Sequence, residues 1–144
     1  MHLLETLTER FGYPALQKID PNTQEVILDT SLPDEDRFNQ AAIPSILTGL
    51  YKYSTSDVGA AAIVRGGFSP DWVKEIFGDQ YVEVLQKVAA YGNYSEIDTA
   101  GKMNRIAVTA GQIINEETNT AENQILAVKD FLASQRKNIL PYLP

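Results

Sequence analysis

An all-α fold follows from three observations. Apolar residues recur at three- and four-residue spacing through almost the whole stretch from Ala41 to Glu117. Gly66-Gly67, Gly78 and Gly92 break that stretch into lengths suited to helices. Only EVILDTSL, residues 25–32, has strand character, and it is short and without an obvious partner strand. The predicted architecture is an irregular antiparallel or orthogonal bundle of seven to eight short helices. It forms one domain over residues 1–144.

The elements follow in chain order. Leu4, Leu7 and Phe11 mark one face of a first helix, and Gly12 is suited to a left-handed cap. Pro14 starts a short turn, PALQKI, which Asp20-Pro21-Asn22 stops. EVILDTSL is read as an extended connector. The next helix opens on Asp34, Glu35 and Asp36, whose charges meet the positive end of the helix dipole. The following Arg37-Phe38 interrupts the alternate ligand positions a calcium loop would need.

Pro44 removes a backbone donor, so a kink or a break between two helices is expected there. Ile43, Ile46, Leu47 and Leu50 around it have the spacing of a buried face. Ser54-Thr55-Ser56-Asp57 supplies capping residues for GAAAIV, whose small side chains admit a close neighbour, and Gly66-Gly67 ends it. Ser69-Pro70-Asp71 restarts the chain as cap, proline and acid. Trp72, Val73, Ile76 and Phe77 give the next short helix its apolar side, closed by Gly78. Tyr81, Val84, Leu85 and Val88 continue the spacing to Gly92, and Asn93-Tyr94-Ser95 is a turn and cap.

The helix over 96–117 is the expected centre. Met103, Ile106, Ala107, Ala110, Ile113 and Ile114 form its stripe, while Ala100, Gly101, Ala107, Ala110 and Gly111 keep it slim for close packing. Thr120 is expected to cap a last helix with Ile125, Val128 and Leu132 inward. The tail RKNILPYLP is apolar for a chain end. Either it docks on the body or the natural chain continues past Pro144, and the second reading is taken.

Composition excludes several functions. The 144 residues are 44% hydrophobic, and a domain of that size buries about 70% of its unfolded surface without staples. There is no cysteine, which removes disulfides, thiolate nucleophiles and cysteine zinc sites and suits a reducing, cytoplasmic setting. MHLLETLTERFG carries Glu5 and Glu9 and is not a secretory signal, and no window reaches the length of a membrane span. Net charge is −7, and Lys52, Arg65, Lys74, Lys87, Lys102 and Arg105 are scattered, so neither nucleic acid nor membrane is an expected partner.

His2, the single histidine, stands at the second residue, so neither a catalytic triad nor a histidine metal site is expected. Glu116 and Glu117 are adjacent and point about 100° apart, too far to clamp one ion. No catalytic residue, metal or cofactor is therefore assigned, and the chain is read as no enzyme. Tyrosines at helix ends suit core margins, with ring buried and hydroxyl wet, or a partner patch. The candidate partner-binding residues are Trp72 as anchor with Tyr51, Tyr53 and Tyr142.

The motif order AIPSILTGLYKYSTSDVGAAAI, WVKEIFGDQYVEVLQKVAAY, SEIDTAGKMNRIAVTAGQI resembles the YidB-like family of bacterial domains of unknown function. Its matching pieces are Pro44-Ser45-Ile46-Leu47, Ser56-Asp57-Val58-Gly59, Ile76-Phe77-Gly78 and Met103 through Ile114, within residues 41–117. Thr109-Ala110-Gly111 departs from the family's usual Ala-Pro. The resemblance implies a helical bacterial domain and brings no catalytic residue. The resulting expectation is a protein-interaction or scaffolding module, binding an unknown protein or itself. The alternative is a carrier of a small apolar ligand, with a pocket along the 96–117 helix.

Overall fold

The computed structural model describes residues 2–13, 16, 33–66 and 71–142. Expectations for the turn over 14–19, the connector over 25–32 and the Ser69-Pro70 restart fall outside those residues, Leu16 apart. All regular structure among the described residues is helical. The elements are α1 (Leu3–Arg10), α2 (Asp34–Ser54), α3 (Asp57–Arg65), α4 (Trp72–Phe77), α5 (Tyr81–Gly92), α6 (Glu96–Thr118) and α7 (Gln124–Ile139). Single 3-10 turns follow α4 at Gly78–Gln80 and α7 at Leu140–Tyr142.

The all-α class is as expected, but two helices are long rather than short. Pro44 neither ends nor splits α2, which runs unbroken for 21 residues. A proline forfeits one intrahelical bond. Here Pro44 lies buried beside Ile43, Ile46, Leu47 and Leu50, all at 0% exposure, and tertiary packing on that stripe holds the helix through it. α6, with 23 residues, is the other long helix. Each of the two touches every other α-helix, so the centre of the bundle is this pair rather than α6 alone. Met103, Ile106, Ala107, Ala110, Ile113 and Ile114 are all buried, as their spacing predicts.

Helix ends are closed in two ways. Ser56, Ser95 and Asn123 cap locally: their side-chain oxygens accept from Gly59 N at 3.0 Å, Asp98 N at 3.1 Å and Leu126 N at 3.2 Å. Asn123, not Thr120, therefore starts α7. That start turns Ile125 outward, to 36% exposure, while Val128 and Leu132 are buried. Gly66 ends α3 with φ +68°, and Gly12 follows α1 with φ +71°.

The other closures come from distant amides. α1 and α4 have no side-chain cap of their own. Leu3 N donates instead to Gln135 Oε1 of α7 at 2.8 Å, and Val73 N donates to Asn104 Oδ1 of α6 at 2.9 Å. At the end of α3, the Ile63 carbonyl accepts from Asn115 Nδ2 of α6 at 2.8 Å.

Gly101 departs from expectation. It lies exposed in the first half of α6, and a Cβ there would meet nothing within 4 Å. No close packing compensates the glycine at this position. Gly101→Ala is accordingly expected to stabilise the fold by about 1 kcal/mol, the helix-propensity difference, as a rise in the urea midpoint.

Candidate binding groove between two antiparallel helices

α2 and α5 run antiparallel in close contact. A Cβ on Gly92, near the end of α5, would fall 2.7 Å from Phe38 Cβ and 2.9 Å from its Cα, near the start of α2. Toward the other end of α2, a Cβ on Gly49 would meet the Phe77 ring at 2.7 Å. Between these two contacts the helices leave a long surface groove.

Two adjoining concavities form it, with volumes of about 690 Å³ and about 550 Å³, and Ser45, Lys87 and Val88 line both. Arg37, Ala41, Ser45, Thr48, Gly49 and Lys52 make the α2 wall, one stripe at helical spacing. Val84, Lys87, Val88 and Tyr91 make the α5 wall, and Ile76 and Phe77 of α4 close the floor at one end. The small side chains at 41, 45 and 48 are what leave the space open, while the Phe77 ring packs against Gly49.

The charge of this groove runs against that of the chain. Arg37, Lys52 and Lys87 line it, and no carboxylate does among the described residues, although the protein carries −7 overall. Arg37 Nη2 pairs with Asp34 at 2.7 Å, and Asn93 Nδ2 donates to the same carboxylate at 3.3 Å. Lys87 pairs with Glu83 at 3.2 Å across an exposed turn. Lys52 makes no ion pair among the described residues. Arg37 Nε, Thr48 Oγ1 and the Tyr91 hydroxyl are buried without a hydrogen-bond partner among the described residues. Burial pushes the Tyr91 hydroxyl up, with the nearby Arg37 charge opposing.

Comparison with protein-family models, curated proteins and solved structures finds no match for this chain.

The four residues singled out by sequence do not share a surface. Trp72 is 1% exposed in the core, with its ring edge-on to Tyr53 at 5.6 Å, so it is a packing residue and cannot anchor a partner. Its helix is too short to offer an apolar side to solvent once Val73 and Ile76 are also buried. Tyr51 is half-buried with the Arg136 guanidinium 5.9 Å from its ring centre, toward α7. Tyr53 faces α4, where its hydroxyl donates to Glu75 Oε1 at 3.0 Å. Partial burial, then that hydrogen bond and the Glu75 charge, push its pKa up to about 12 against a small opposing effect of Arg65. Tyr142 docks at the far end of the bundle, where its carbonyl accepts from Gln40 Nε2 at 3.3 Å. Only Tyr53 lines the groove.

Among the described residues, the slim part of α6 lies apart from these concavities. Ala107, Ala110 and Gly111 are buried, and neither Ala107 nor Gly111 lines these concavities or a smaller one of about 220 Å³ beside Tyr142. The groove itself carried a weak sequence signal. Ala41, Ser45 and Gly49 repeat at four-residue spacing, with Arg37 before them and Lys52 after. Cations scattered along the chain gather only once α5 lies against α2.

Among the described residues, no group of three histidine or acidic side chains is placed to hold a metal ion. No helix among them is long and apolar enough to cross a membrane.

Proposed function

We propose that this chain is a non-enzymatic protein-interaction module whose working surface is the groove between α2 and α5. The observation that carries this reading is the groove's make-up: an apolar, small-residue floor bordered by Arg37, Lys52 and Lys87, with no carboxylate along it among the described residues. An elongated site of that kind suits a polypeptide, which binds through a line of apolar contacts with charges at the rim.

The ionisable groups in the groove favour binding over proton transfer. They are two lysines, an arginine and two tyrosines, and both tyrosine hydroxyls are held above their ordinary pKa. A general acid or base works best near the operating pH, and the two tyrosine hydroxyls are shifted away from it. The resemblance to YidB-like domains agrees with this reading and adds no catalytic residue to it. An apolar-ligand carrier is the second reading, and the groove described here lies between α2 and α5 rather than along α6.

The test is a displayed random-peptide library panned on the protein, with each enriched peptide re-assayed on Ser45→Trp. That substitution fills the point where the two concavities meet, and circular dichroism confirms that the variant keeps its helices. Peptides that bind the native protein and lose at least tenfold in affinity on the variant are expected. Peptides that bind both equally, or no enrichment at all, would overturn the reading.

A further inference from the structure

We infer that the occupant of the groove is an acidic amphipathic helix of about four turns from a partner protein, an inference that rests on the reading above. Three features specify it: length, backbone chemistry and charge.

Length comes first. On α2 the lining residues run from Arg37 to Lys52, which at 1.5 Å per residue is about 22 Å. A helix of about 15 residues spans that distance. The continuous lining at Ser45, Lys87 and Val88 lets one occupant run through both concavities. A single-headed amphiphile would place its anion against one cation and leave the others unused.

Backbone chemistry decides the conformation. The long walls are helices, whose backbone groups are hydrogen-bonded within themselves, and no strand exists among the described residues to offer an edge. An extended segment pressed into the groove would turn half of its N–H and C=O groups toward a floor with no backbone partners. A helix brings those bonds already made. Its side-chain ridges then seat over the small residues Ala41 and Ser45, which permit close approach.

Charge then selects the sequence. Arg37 stands at one end of the α2 wall, Lys52 at the other and Lys87 between them on α5. Carboxylates flanking the apolar stripe of the incoming helix meet all three. Lys52 is uncommitted among the described residues, and Lys87 is tied only to Glu83 across an exposed turn, an arrangement worth little in water. At Arg37, Nη2 is engaged by Asp34, and the guanidinium carries further N–H donors. Elsewhere the net charge of −7 repels an acidic helix, which confines it to this surface.

The experiment uses fluorescence anisotropy of three labelled 16-residue peptides titrated with the intact protein. One carries a leucine stripe at i, i+3, i+4 and i+7 flanked by glutamates. The second replaces every glutamate with lysine, and the third has a central proline. Saturable binding of the acidic helix is expected, with at least tenfold weaker binding of the other two. The doubly reversed variant Lys52→Glu/Lys87→Glu, changed only at exposed positions, is expected to prefer the lysine peptide.

Equal binding of the acidic and lysine peptides, or acidic-peptide binding that survives Ser45→Trp, would overturn the inference. So would displacement of the acidic helix by palmitate at lower concentration than by the unlabelled peptide, which would assign the groove to an amphiphile. Dimerisation in sedimentation that Ser45→Trp abolishes would assign it to a second copy of the chain. Groove-dependent library peptides that are basic or proline-broken would overturn this inference alone. A library with no groove-dependent peptide would remove the groove reading beneath it.

Discussion

Trp72→Ala is expected to cost about 3–5 kcal/mol of folding stability, the usual range for truncating a buried tryptophan. The indole is 1% exposed, and the Tyr53 ring meets it edge-on at 5.6 Å. Its helix, α4, has only six residues and takes its N-terminal cap from Asn104 of α6, so it has little of its own to hold it in place. A domain of this size has about 5–15 kcal/mol in total, so the variant stands near the threshold of unfolding at 37 °C. Urea denaturation followed by circular dichroism measures the loss, since the substitution removes the single tryptophan fluorophore. Trp72→Phe keeps part of the packing and is expected to lose clearly less. A loss under 1 kcal/mol for the alanine variant would mean that Trp72 is not a core residue.

Gly59→Ala is expected to be destabilising by about 2–4 kcal/mol, although alanine is the better helix former. An ideal Cβ at residue 59 would stand 1.8 Å from the carbonyl oxygen of Tyr53, far inside any permitted contact. That oxygen belongs to the backbone at the end of α2 and cannot rotate away. Only a shift of α3 against α2 could make room, and only Thr55 and Ser56 separate those helices. The shift would also disturb the cap in which Gly59 N donates to Ser56 Oγ. Comparison with Gly101→Ala isolates the cause, because the same chemical change in open space carries the opposite sign. If both substitutions stabilised the protein, the close approach at Gly59 would be disproved.

What could be read from the sequence was whatever depends on local pattern. The stripes Ile43-Ile46-Leu47-Leu50 and Met103 through Ile114 are buried as their spacing predicts, because helical periodicity needs no knowledge of the partner. Ser95 and Gly66 act as helix boundaries because the chemistry of a cap is also local. That Pro44 does not break α2 was hidden for the complementary reason. The loss of one backbone bond is visible in the sequence, but the tertiary packing that outweighs it is not. Thr120 and Asn123 are both competent caps, and the choice between them depends on where α7 docks.

The candidate site was less legible. Trp72 drew attention as a large aromatic on a short helix, the same description that fits an interface anchor and a core residue. Burial alone separates the two, and burial is a property of the assembled bundle. Arg37, Lys52 and Lys87 had no special standing in the chain. They border one surface only because α5 lies antiparallel along α2, an arrangement that Gly92 permits by letting Phe38 approach.

The bond from Leu3 N to Gln135 Oε1 joins residues 132 positions apart. In a chain made from its N-terminus onward, α1 leaves the ribosome long before the side chain that closes it is synthesised. α1 can coil early, but it cannot be sealed until α7 has emerged and docked. Of these two helices the one made earlier is thus completed only by the later one, and a chain halted before Gln135 would hold α1 open.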